Sequence, residues 1–189
     1  LQEIRKLLAG LPLTIAGLAD YPELGVVAET GGTFMENAII KAKAVGDYTR
    51  ELTLADDSGL EVDALGGAPG VYSARYGQPG WNSRQQYQYL LEQVATCERS
   101  ARSARFRCAI ALYDPTAAKL ETATGAVEGE ITDQPRGENG FGYDPVFLLP
   151  ELGRTMAELP DAQKNRLSHR GRALAAIMPK ILQLVAEQP

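Results

Sequence analysis

Cysteine is scarce. Only Cys97 and Cys108 occur in 189 residues, which excludes a disulfide framework and a cysteine-based zinc centre. Both read as small apolar side chains in a reducing compartment. Histidine is scarcer still, with His169 alone. No uninterrupted apolar run approaches the roughly 20 residues of a bilayer-crossing helix. No signal-peptide or lipidation pattern is visible, so a cytoplasmic protein with no membrane partner is expected. Basic charge is also short: 19 Lys and Arg against 24 Asp and Glu leave a net −5. A nucleic-acid partner is therefore not expected, because neutralising a phosphate backbone needs a basic face. A small phosphorylated substrate held by a few local cations and a metal remains compatible with that balance. Neither common phosphate cradle is present: there is no G-x-x-x-x-G-K-[ST] loop and no G-x-G-x-x-G loop between a strand and a helix.

What is there is an ordinary globular composition, 44% hydrophobic and 23% charged, long enough to bury a real core. No repeat, low-complexity segment or linker divides it. The expectation is a single two-lobed domain over residues 1–189.

The most informative stretch is Leu52 to Leu65. Leu52 to Ala55 reads as a short buried strand ending in two adjacent carboxylates, Asp56 and Asp57. Ser58 and Gly59 then read as a turn, after which Leu60, Val62 and Ala64 alternate with Glu61 and Asp63 as in a half-buried strand. Carboxylates at a strand's carboxyl end occupy the usual ligand position of open α/β sheets. Two readings fit equally: a magnesium or proton-transfer site, or a polar Asp-Ser-Gly turn.

Around it, the chain opens in a helical spacing of Ile4, Leu7, Leu8 and Leu11, followed by strand-like Leu13 to Leu18 and a polar connection. Thr33 and Glu36 have capping-box spacing, before a helix with a Met35, Ala38, Ala42 and Val45 stripe. Asn37 and Lys41 share another face of that helix. Glu36 is thus a cap partner first and a metal ligand second. Gly66 to Gly80 reads as a loop near the carboxylates, with Arg75 either functional or paired to an acid. A helix is expected over about Asn82 to Ala95. Phe106, Cys108, Ile110 and Leu112 mark a strand, with Arg105 and Arg107 on a solvated face. Lys119 to Thr132 is further strand material, interrupted by Gly125 and Gly129. Pro135 to Pro145 is dense in glycine and aromatics and reads equally as a loop whose Phe141 or Tyr143 offers a face on which a base can stack, or as a long turn with anchoring aromatics. Val146 to Leu149 is a short strand. Lys164, Asn165, Arg166, Ser168, His169, Arg170 and Arg172 gather positive charge before a final helix capped by Ser168 and bent at Pro179.

Five ordered motifs together resemble one family. Thr33-Phe34-Met35-Glu36-Asn37-Ala38 with Lys41-Ala42, Ala55 to Leu60, Pro69 to Arg75, Gly140 to Pro145, and Ser168-His169-Arg170 are similar to the inosine triphosphate pyrophosphatases of the RdgB type. The resemblance spans essentially the whole chain. It implies an α/β fold with an elongated mixed β-sheet flanked by helices, two lobes around a central substrate cleft, and a homodimer. It implies magnesium-dependent hydrolysis of deaminated purine nucleoside triphosphates to the monophosphate and pyrophosphate. By the same resemblance Asp57 is proton acceptor and metal ligand, and Glu36 assists at the metal. Asp56, adjacent to Asp57, is a second catalytic candidate, and the two could exchange the acid–base role. Lys41 contacts the phosphates, and Asn37, Ser58 and Arg75 lie at the substrate. Phe141, Gly142, Tyr143, Asp144, Lys164, His169 and Arg170 hold the base. Hypoxanthine and xanthine carry a keto oxygen where adenine carries an amino group, so a donor such as Arg170 or Lys164 separates them.

The family opens with a strand and a Ser/Thr-x-Asn-x-x-Lys loop, whereas Leu1-Gln2-Glu3 matches the residues just after that lysine. A natural product longer by about ten residues, a strand plus its loop, is the expectation. Two alternatives stand beside the main reading: a related pyrophosphatase for modified pyrimidine or methylated nucleotides, and a non-catalytic nucleotide-binding dimer module.

Overall fold

The structure is a computed structural model that describes residues 4, 5, 8–10 and 13–187. Ile4 and Arg5 are helical, and the Leu8 amide donates to the Ile4 carbonyl at 2.9 Å. Leu7 and Leu11 of the expected first helix, and Leu1-Gln2-Glu3, lie outside the described residues. Leu13 to Leu18 does not form a strand. Its burial alternates, with Leu13 and Ile15 half-buried and Thr14 and Ala16 exposed, but no described strand pairs with it. Alternation reports which side faces the core; a strand also needs a neighbouring backbone to bond.

Helix α1 spans Phe34–Thr49 and begins with the expected capping box, in which Thr33 Oγ1 accepts from the Glu36 amide at 3.1 Å. Its buried positions are Phe34, Asn37, Ala38, Ala42 and Gly46, so the stripe is rotated from the expected one and contains Asn37. That polar side chain tolerates complete burial because both its ends are bonded: the oxygen accepts from the Gly31 amide at 2.8 Å, and the amide donates to Asp57 at 3.2 Å.

Strands β1 (Thr53–Val62), β2 (Ser103–Asp114), β3 (Lys119–Ile131), β4 (Phe147–Leu149) and β5 (Arg154–Thr155) form one sheet in that order. Every pairing among the described residues is antiparallel, where the resemblance implies a mixed sheet. β1 runs without a break through Ser58 and Gly59, which pair with Cys108 and Arg107. The expected turn there is absent. Gly59 serves space: a Cβ would lie 2.5 Å from both the Gly70 carbonyl and Ser73 Oγ. β3 is likewise continuous through Gly125 and Gly129. A side chain at Gly125 would collide with the His169 carbonyl and the Ala173 amide, so that glycine lets the last helix lie against the sheet.

The period-two alternation of β2 divides the core. Ala109, Ala111 and Tyr113 pack under Phe34, Ala38 and Ala42 of α1. Cys108, Ile110 and Leu112 pack under helix α4 (His169–Glu187) through Ala173, Leu174, Ile177, Ile181 and Leu184. A further cluster, with Leu60, Phe106, Val127 and Phe147, is closed by Leu90 and Val94 from α2 (Ser83–Gln93) and its C-terminus. A short helix α3 (Asp161–Leu167) precedes α4, and Ser168 separates the two while its Oγ accepts from the Gly171 amide at 3.0 Å. The sequence thus forms an α/β sheet clad by helices on both faces. Arg105 and Arg107 are not simply solvated. Arg105 bonds Asp63 through both terminal nitrogens at 2.8 Å and Glu128 at 3.0 Å, while Arg107 reaches Glu61 at 2.7 Å. Among the described residues no helix is long and apolar enough to cross a membrane.

Candidate active site

The site is built around β1, which stands at one end of the strand order. Successive side chains of a strand point to opposite faces, so Asp56 and Asp57 face opposite sides of the sheet.

On the α1 face, Asp57 Oδ1 accepts from Lys41 Nζ at 2.9 Å and Oδ2 accepts from Asn37 at 3.2 Å. The same lysine donates to Glu29 Oε1 at 3.2 Å. Burial opposes the charge on Lys41, but the hydrogen bonds and attraction of Asp57 and Glu29 outweigh it and hold its pKa above the usual value. Arg75 joins this half through Glu29 Oε2 at 3.5 Å and stacks over Tyr72. Glu36 does something else: its Oε2 accepts from the Gly32 and Thr33 amides at 2.7 and 3.1 Å, completing the α1 cap.

On the α4 face, Asp56 Oδ2 accepts from Arg170 Nε at 3.0 Å and from Ser58 Oγ at 2.9 Å. Burial pushes the Asp56 carboxyl upward, but the Arg170 guanidinium prevails and holds it below the usual range. Cys108 lies beside it, its thiol pushed up to about 12 by burial and by Asp56, and stays protonated.

A cavity of ≈ 290 Å³ opens here, with Ser58, Phe106, Phe141, Lys164, His169 and Arg170 among its lining. Lys164 Nζ donates to Asp144 Oδ2 at 2.7 Å, and the same oxygen accepts from the Phe141 amide at 2.8 Å. The Phe141 ring is exposed and sits 4.6 Å from Lys164 Nζ and 5.8 Å from the Arg170 guanidinium carbon. Gly140, at φ +81°, leaves room for this: a side chain there would run into Asp144 and Lys164. Tyr143 is buried and donates to the Ser73 carbonyl at 2.8 Å, so it anchors the loop while Phe141 presents the open ring. Gly142 links the two in the left-handed region at φ 60°. His169 stacks on Phe106 at 4.8 Å between centroids, and its buried Nδ1 has no hydrogen-bond partner. Burial, with Arg170 and Lys164 nearby, pushes its pKa down to about 3, which leaves a neutral ring.

The expected site residues other than Glu36 therefore gather in two groups, and the sequence patterns leave out three further contributors. Glu29 is brought to Lys41 from a loop before α1, outside any periodic element. Ser83 and Gln86 reach the cavity from the start of α2. Only the folded chain brings these groups together.

Comparison with known proteins decides the family. The Ham1 family pattern matches residues 1–180. The chain belongs to the Ham1 family. It is 46% identical over 184 residues to a Listeria monocytogenes protein named dITP/XTP pyrophosphatase, covering 97% of this chain and 90% of that one. A Geobacter sulfurreducens protein of the same name is 49% identical over 177 residues, covering 94% and 88%. Among solved structures, a HAM1 protein from Coxiella burnetii superposes with a TM-score of 0.89 at 41% identity, covering 96% of this chain and 92% of its own. The Staphylococcus aureus Ham1 protein gives 0.86 at 37%, covering 99% and 93%. This Ham1-family chain thus shares its fold over nearly its whole length, as the five sequence motifs imply.

Proposed function

We propose that this Ham1-family chain hydrolyses deaminated purine nucleoside triphosphates, ITP and dITP or XTP and dXTP, to the monophosphate and pyrophosphate. The carrying observation is the division of the cleft by β1: Lys41 and two carboxylates on one face, an aromatic cavity with Lys164 and Arg170 on the other. A triphosphate lies along the first group and a base enters the second. Relatives named dITP/XTP pyrophosphatase support the substrate class.

In this reading Lys41 neutralises the phosphates, and Asp57 takes the proton of the attacking water at a carboxylate oxygen. The water oxygen bonds to the α-phosphorus as the α–β bridging bond breaks, and pyrophosphate leaves. Phe141 stacks on the base, and Arg170 or Lys164 donates to its 6-keto oxygen. Adenine would place an amino group, itself a donor, against those donors.

Magnesium fits the donor set. It is usually held through one or two carboxylates plus phosphate oxygens, and Asp57 with Glu29 supplies hard oxygens around Lys41. No group of three acidic, histidine or cysteine side chains set to hold a metal occurs among the described residues. Bound there, the cation would neutralise charge on the phosphates during water attack. Glu29 takes the place of Glu36 in this assignment because it shares Lys41 with Asp57, whereas Glu36 Oε2 is held in the α1 cap. A cytoplasmic homodimer is the proposed working form, carried by the family resemblance alone.

Pyrophosphate release from dITP, with and without magnesium and against dATP and dGTP, tests the reading. Magnesium-dependent turnover favouring dITP supports it, and equal turnover of dATP would overturn it.

A further inference from the structure

The two neighbouring aspartates invite a single catalytic assignment, and the geometry separates them. Asp56 points away from Lys41 and Asn37 toward the base cavity. Its one oxygen Oδ2 accepts from Arg170 Nε at 3.0 Å and from Ser58 Oγ at 2.9 Å. Both partners line the cavity. We infer that Asp56 is a positioning residue for base selection, acting through Arg170 and Ser58, and takes no part in proton transfer at the phosphates. This inference rests on the function proposed above.

The physical argument has two parts. Tying Nε of a planar guanidinium to a fixed carboxylate constrains the plane and direction of the whole fork. The Arg170 carbon lies 5.8 Å from the Phe141 ring centroid, so that plane is fixed beside the ring against which a base would stack. The second part concerns Ser58. Because its hydroxyl proton is donated to Asp56, its oxygen presents lone pairs to the cavity. The N1–H of hypoxanthine or xanthine is a donor that such an oxygen can accept, whereas adenine N1 is itself an acceptor and would face those lone pairs unpaired. Asp56 thus fixes one donor and one acceptor at once, matching the O6 and N1–H edge of a deaminated purine.

The test is steady-state kinetics of Asp56→Asn on dITP and dATP, beside Asp57→Asn and Arg170→Met. The asparagine keeps shape and loses the charge that holds Arg170. For Asp56→Asn, KM for dITP is expected to rise about ten- to a hundredfold, the loss of one charge-assisted hydrogen bond, with kcat and its pH profile little changed. The preference for dITP over dATP should fall by a similar factor. In an Arg170→Met background the Asp56→Asn effect on selectivity should shrink to the Ser58 share, because the main route is already cut. Thermal melts of each variant separate misfolding from lost recognition. If Asp56→Asn lowers kcat as far as Asp57→Asn at unchanged KM, Asp56 belongs to the chemistry and the inference fails. It also fails if selectivity is untouched, or if the Asp56 and Arg170 effects simply add. Wild-type enzyme that shows no preference for dITP would instead sink the functional proposal itself.

Discussion

Asp56 and Asp57 are adjacent in sequence and lie on opposite faces of the sheet, one bonded to Arg170 and the other to Lys41. A continuous β1 is what makes this so. A turn at Ser58-Gly59 would have left both carboxylates at one strand end, as a pair competing for one role. Along an unbroken strand they face opposite sides of the sheet, which is what the proposed division into a chemical and a recognition residue requires. The phosphate group and the base group of a nucleotide can then be held on either side of a strand at the end of the sheet.

Asp57→Asn is expected to lower kcat for dITP by about 10²- to 10⁴-fold, the usual contribution of a positioned general base. The fold should survive with a modestly lower melting temperature, because the asparagine keeps one oxygen for Lys41 or Asn37 and sets its amide nitrogen against the other donor. Stopped-point pyrophosphate assays against a thermal melt check both statements. Full activity in this variant would remove Asp57 from the proton-transfer role.

Glu29 and Glu36 should separate cleanly. Glu29→Gln is expected to raise the magnesium concentration for half-maximal activity while leaving the melting temperature nearly unchanged. Glu36→Gln should leave the magnesium requirement alone and cost up to about 1 kcal/mol through the weakened capping box. A magnesium titration and a denaturant melt on each variant read the two effects. The reverse pattern would return the metal to Glu36.

Gly59→Ala tests the unbroken strand. Its Cβ would lie 2.5 Å from the Gly70 carbonyl and from Ser73 Oγ and 2.7 Å from the Phe34 ring. Backbone and a packed ring cannot give way easily, so a loss of about 1–3 kcal/mol is expected. The urea midpoint checks it. An unchanged midpoint would mean that Gly70 to Arg75 shifts freely, and that the glycine is there for another reason.

How much of this was legible in the sequence follows from range of interaction. The Thr33–Glu36 cap, the β2 alternation and the Ser168 helix start are set within a few residues, and each formed as its pattern implies. The grouping of Lys164, Arg170 and Phe141 came from family resemblance, because nothing local joins a loop to a helix thirty positions on. Asp-Asp-Ser-Gly has turn composition, yet β2 pairs along its whole length and overrides it. Glu29 carries no periodic signal at all. Its role appears only once α1 is docked against β1.

The lone histidine makes one pH effect readable. His169 has a folded pKa near 3 because it is buried and faces Arg170 and Lys164, against the attraction of Asp56. Unfolded, it titrates at about 6.5. Below that value the unfolded chain binds a proton that the folded chain refuses, so stability falls as pH falls. The contribution is fully present above about pH 6.5 and is lost progressively toward pH 3, at up to about 1.4 kcal/mol per pH unit. Asp56, whose folded pKa is lowered from 3.8, adds its own loss only near and below that value. Because the chain has a single histidine, the interval between pH 6 and 5 belongs chiefly to His169 among its side chains. Urea melts at pH 7.5, 6 and 5 should therefore show a falling midpoint for the wild type and a flatter profile for His169→Gln. Parallel profiles would mean that the imidazole is hydrated or protonated in the folded protein, and that the neutral ring stacked on Phe106 is not its working state.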